Sequence, residues 1–102
     1  MAGLDELWRA QQNAPFPLSC LPLSIDGVKL VQIDAVAGAI LTASLLTDGI
    51  VRAVDEKKRR DLERHRALIG RALREVPLDA EGRAYFERLD ALAGQVLVGI
   101  KR

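Results

Sequence analysis

Leu21-Pro22-Leu23-Ser24-Ile25-Asp26-Gly27-Val28-Lys29-Leu30-Val31-Gln32-Ile33-Asp34 runs directly into Ala35-Val36-Ala37-Gly38-Ala39-Ile40-Leu41-Thr42-Ala43-Ser44-Leu45-Leu46-Thr47. The first half carries Asp-Gly between two apolar runs. A two-residue turn of that kind needs positive φ at both central positions, which Asp and Gly tolerate best. Closing it pairs Ile25 with Val28, Leu23 with Leu30 and Leu21 with Gln32, a β-hairpin over about 21–33. One face then carries Leu21, Leu23, Ile25, Val28 and Leu30 and is the better core face. The other carries Pro22, Ser24, Lys29, Val31 and Ile33. Two strands alone are marginal in water, so helices must pack on them. The second half supplies one: Asp34 is a good N-cap for a helix over about 35–46, and Gly49 is suited to end it. That helix is apolar almost all round, with Thr42 and Ser44 as interruptions, which predicts a central position.

Moving outward, Leu4–Gln12 reads as a short helix with Leu4, Leu7, Trp8 and Gln11 on one side. Pro15 and Pro17 stop it, since neither ring continues a helix. Downstream, Ile50–Val54 reads either as a connecting loop or as a first helical turn. Asp55 is an N-cap for a helix over about 56–76, with Leu62, His65, Ile69, Leu73 and Val76 as its inward stripe, and Pro77 stops it. Asp79 caps a last helix over about 80–98, whose inward stripe is Tyr85, Phe86, Leu89, Leu92, Ala93, Val96 and Leu97. Val96–Ile100 reads either as the end of that helix or as a third strand. The expected fold is α+β and mostly helical: one domain over 1–102 with an N-terminal arm over about 1–17.

Composition narrows the function classes. The chain has 102 residues, 49% of them hydrophobic, with Trp8, Phe16, Tyr85 and Phe86 its only aromatics. An aliphatic core follows. The single cysteine, Cys20, has no internal disulfide partner, and the acidic start Asp5-Glu6 is unlike a basic signal peptide; a cytoplasmic location is expected. The longest apolar stretch, Ala35–Thr47, is shorter than the roughly 20 residues a membrane span needs. The net charge of +1 hides an asymmetry. Residues 1–51 carry two basic and five acidic side chains, and residues 52–102 carry thirteen and nine.

Catalytic chemistry finds few groups. One cysteine and one histidine, His65, fall short of the ligand sets of structural or catalytic zinc. A Cys20–His65 nucleophile pair is formally allowed, against a buried thiol and a helix histidine paired with Asp61. No glycine loop has phosphate-binding spacing, and no cofactor is expected. Asp26, Asp34, Asp48, Asp55 and Asp79 all stand at predicted turns or caps, which explains them locally.

Two surfaces remain. Lys57, Lys58, Arg59, Arg60 and Arg64 are residues able to contact phosphates, and hence nucleic acid. Interleaved Asp55, Glu56, Asp61 and Glu63 favour an ion-paired solvated face instead, with Glu56 and Arg60 at i, i+4 spacing. Leu4, Leu7, Trp8 and Phe16 are residues able to anchor a protein partner, or to pin the N-terminal arm onto its own body. The expectation is a non-enzymatic protein–protein interaction protein: a homodimer, a subunit of a small complex, or an immunity or antitoxin-like partner. The alternative is a weak nucleic-acid binder using the 57–66 helix face.

The segments Trp8-Arg9-Ala10-Gln11-Gln12-Asn13-Ala14-Pro15-Phe16-Pro17, Val31-Gln32-Ile33-Asp34 before an alanine-rich helix, and Arg83-Ala84-Tyr85-Phe86-Glu87-Arg88-Leu89 resemble small uncharacterised actinobacterial proteins. The resemblance implies an origin and assigns no residue a role.

Overall fold

The computed structural model describes residues 3–45 and 55–100. The expectations for Leu46, Asp48, Gly49 and Ile50–Val54 lie outside the described residues. Among the described residues four helices and one small hairpin follow in order: α1 (Leu4–Asn13), a 3-10 turn (Leu18–Cys20), β1 (Ser24–Ile25), β2 (Val28–Lys29), α2 (Leu30–Ser44), α3 (Glu56–Glu75) and α4 (Ala80–Ile100). The chain is thus mostly helical with an antiparallel hairpin, and Val96–Ile100 is helix, not strand.

The hairpin forms where Asp26-Gly27 predicts it. Asp26 has φ 55° and Gly27 φ 78°, the positive pair a tight primed turn demands. Ile25 pairs with Val28 and Ser24 with Lys29. One further bond, from the Leu30 amide to the Leu23 carbonyl (2.9 Å), closes the ladder. The Leu21–Gln32 pair does not form, because α2 starts at Leu30, five residues ahead of the expected Ala35. Leu30, Ile33, Ala37, Ile40, Leu41 and Ser44 lie along one helix face and are all buried. The 3.6-residue period therefore reaches back into the expected second strand. Leu21, expected in the core, follows the 3-10 turn and is exposed, while Ile33, expected on the outer face, is fully buried.

This shift also moves Asp34. It lies inside α2, and Lys29 occupies the N-cap position with no side-chain cap bond. Asp55 and Asp79 do cap their helices, accepting from the Lys58 amide (2.8 Å) and the Gly82 amide (2.7 Å).

The centre of the molecule is α4, not α2. It packs against α1, α2 and α3, and its seven predicted inward residues, Tyr85 to Leu97, are all buried. Phe86, fully buried, contributes roughly 1.5–3 kcal/mol by burial alone. Phe16 meets Tyr85 and Phe86 edge-on, with centroids 5.5 and 6.1 Å away. α2 instead leaves Ala35, Val36, Ala39, Thr42 and Ala43 exposed. Single methyl groups cost little in water, which is why a helix apolar all round tolerates a peripheral place. On α3 the inward residues are Leu62, Ile69 and Ala72, followed by Val76; His65 and Leu73 are only half-buried.

Candidate functional site: the groove between α3 and α4

The N-terminal arm packs on its own chain. Trp8 retains 7% exposure and belongs to the hydrophobic core, and Leu4, Leu7 and Phe16 pack half-buried against it. These four side chains, candidate partner anchors by sequence, are used within the fold. A polar contact reinforces them: the Arg88 guanidinium donates to Gln11 Oε1 (3.1 Å), joining α1 to α4.

Cys20 is fully buried, and burial pushes its thiol pKa up, the opposite of what a nucleophile needs. His65 sits on α3 with Nδ1 bonded to the Asp61 carbonyl at 2.7 Å. Its partner is thus the Asp61 backbone, while the Asp61 carboxylate takes Arg64 (2.8 Å). Among the described residues no cluster of three His, Cys, Asp or Glu side chains is placed to hold a metal ion. No described helix is long and apolar enough to cross a membrane.

One part-buried polar pair is invisible in the sequence. Tyr85 Oη donates to Asp34 Oδ1 at 2.7 Å, linking α4 to α2 across 51 positions. Burial raises the Asp34 pKa, and the Tyr85 hydrogen bond partly opposes it. Burial and the neighbouring carboxylate raise the Tyr85 pKa in turn. The pair ties the two helices together.

The basic segment resolves into two kinds of residue. Arg59 is held by Glu56 and Glu63, and Arg64 by Asp61. Glu56 therefore pairs one position earlier than the expected Arg60. Lys57, Lys58 and Arg60 are exposed and have no salt-bridge partner among the described residues. The cationic surface does not stop at Arg66. Along α3 eight basic side chains face four acidic ones, a net +4, whereas the remaining seven basic and ten acidic side chains leave −3.

The C-terminal half of α3 borders a recess, a groove of about 660 Å³ against α4. Ala67 and Gly70 from α3 and Gly94, Leu97 and Val98 from α4 line it. Arg66, Arg71 and Arg74 also line it, with Glu63 the single carboxylate among them. A second recess continues along α4 past Gln95 to Gly99, sharing Arg66, Gly94 and Val98. Two of the groove's small residues lie under arginine side chains. At Gly94 a Cβ would lie 2.9 Å from Arg66 Cζ, so the guanidinium lies across the bare helix backbone there. Arg66 is tethered by Asp90 (3.3 Å), and Arg71 by Glu75 (3.0 Å) and Asp26 (3.3 Å). Arg74 has no salt bridge among the described residues and reaches back over Gly70, with Nη1 3.5 Å from the position of a Cβ. On the floor Val98 is 57% exposed. Sequence reasoning misses this site: two glycines 24 positions apart give no signal until α3 and α4 are docked. No protein-family model matches the chain, and no curated protein or solved structure matches it either.

Proposed function

We propose that the chain is a non-enzymatic protein-binding module whose working surface is the groove between α3 and α4. The observation that carries this is the groove's make-up: a floor of small and aliphatic residues with Val98 laid open, overlooked by three guanidinium groups. Apolar ground rimmed by charge is the usual anatomy of an interaction patch.

The test is site-specific photocrosslinking in the source cells. A photoreactive side chain in place of Val98 is expected to trap a discrete protein, and the same group in place of Thr42, on the far face of α2, to trap none. Adding Arg74→Glu should abolish the adduct. Equal adducts from both positions, or none from either, would overturn the proposal.

A further inference from the structure

We propose that Asp26-Gly27 is a site of covalent backbone modification, the isomerisation of Asp26 to isoaspartate, and that the folded turn and Arg71 hold this reaction in check. The chemistry needs only the dipeptide and solvent water. The Gly27 nitrogen attacks Cγ of the protonated Asp26 carboxyl. The N–Cγ bond forms, the Cγ–OH bond breaks, and the amide proton leaves with the hydroxyl as water. The cyclic succinimide then takes up one water. Cleavage of its N–Cγ bond restores aspartate. Cleavage of its other C–N bond, at the Asp26 main-chain carbonyl, leaves the chain running through Cγ, which is isoaspartate. No atom is gained or lost overall.

Three observations single out this dipeptide. Gly27 carries no side chain to hinder the attack, and nothing lies within 4 Å of the place a Cβ would take. The Gly27 amide makes no hydrogen bond among the described residues, so the nucleophile is unengaged. The Asp26 side chain is 66% exposed, open to the water that leaves and returns.

The same turn keeps the reacting atoms apart. Asp26 at φ 55° and Gly27 at φ 78° belong to the mirror-image turn type, whose first central residue has ψ of about +30°. Ring closure requires the Gly27 nitrogen on the same side as Asp26 Cβ, and that ψ sets it nearly opposite. Reaction therefore waits on local opening of the hairpin. Three contacts oppose opening: the Ile25–Val28 pairing, the bond from the Leu30 amide to the Leu23 carbonyl, and the ion pair between Asp26 and Arg71 of α3 at 3.3 Å. Isoaspartate cannot close the turn again in the same way. Its extra backbone methylene shifts Val28 out of register with Ile25, and the side-chain carboxylate that Arg71 holds is gone.

The test holds the whole chain at neutral pH for several weeks, folded in buffer and unfolded in guanidinium. Peptide mapping with electron-transfer fragmentation tells the two isomers apart at equal mass. Asp48-Gly49, the same dipeptide outside the described residues, is the internal standard in denaturant, where both should convert alike. Conversion at Asp26 should be about tenfold or more slower in the folded chain. Arg71→Ala should raise the folded-state rate about two- to fivefold, the hold an exposed ion pair has on such an opening, and leave the denatured rate unchanged. Added salt, which screens the pair, should act in the same direction on the parent. Gly27→Ala should slow conversion in denaturant, where only the attack itself is at stake. No isoaspartate at Asp26 in denaturant overturns the site. Equal rates folded and unfolded overturn the protection by the turn, and a folded-state rate indifferent to both Arg71→Ala and salt overturns the part given to Arg71.

Discussion

Replacing Gly82 with alanine should destabilise the protein, although alanine is the better helix former. Gly82 lies in the first turn of α4, where the 3-10 turn presses on it. A Cβ there would sit 2.7 Å from Cys20 Sγ and 3.1 Å from Asp79 Oδ1. Neither neighbour yields easily. Cys20 is fully buried, its amide is bonded to Pro17 (3.0 Å) and its carbonyl to Leu23 (3.1 Å). The Asp79 carboxylate is engaged in capping the helix through the Gly82 amide. Overpacking of this kind costs about 1–3 kcal/mol, and the helix-propensity gain returns at most about 1. The net loss is about 1–2 kcal/mol, which at this size lowers Tm by roughly 5–15 °C. Cys20→Ala alone should cost about 1 kcal/mol, the lost burial of one sulfur. The double variant is the decisive measurement, since removing the Cys20 sulfur vacates the space that a methyl group at position 82 needs. Urea unfolding of all four proteins should give a favourable coupling of about 1–2 kcal/mol. Additivity within about 0.5 kcal/mol, or a stabilised Gly82→Ala, would refute the steric account.

Asp34 contributes more to stability in acid than at neutrality, because burial raises its folded pKa above the unfolded value near 3.9. Its favourable contribution is present below that value and lost as pH rises through the folded pKa. Asp34→Asn keeps an acceptor for Tyr85 and should be as stable as the parent or more so at pH 7. Its advantage should vanish toward pH 3, as urea unfolding at the two pH values would show; Tyr85→Phe should cost about 1 kcal/mol. Two glycines with open space around them should respond oppositely to alanine. Gly27, at φ 78° with no neighbour within 4 Å of a built Cβ, should lose about 1 kcal/mol from backbone strain alone. Gly38, equally open but inside α2, should gain up to about 1 kcal/mol, both read from thermal melts.

Local chemistry is legible in the sequence and docking is not. Asp26-Gly27 specifies its turn, and Asp55 and Asp79 specify their helix starts, because each acts on backbone groups within three residues. Leu30–Ile33 reads as strand because alternation and helical spacing differ little over four residues; only the continuation through Ala37, Leu41 and Ser44 separates them. Asp34 looks like a cap for the same reason, and its real partner, Tyr85, is 51 positions away. The apolar purity of α2 points to the centre, yet its outward residues are mostly alanines and α4 carries the bulk. For the groove, the stretch 57–66 draws notice through its density of charge. Arg71 and Arg74 stand among apolar neighbours and gain meaning only from facing Gly94 and Val98 across the helix pair.

The place of α4 has a consequence during synthesis. Every other described α-helix packs against it, and it is the last of the described elements in chain order. At about 5–20 residues per second, the ribosome needs roughly 3–11 s to go from the end of α2 to the end of α4. Through that interval Trp8, Leu30, Ile33 and Leu41 have no α4 to cover them. A 15-residue helix such as α2 is marginal in water without its tertiary contacts, so the fold closes only once α4 has been made.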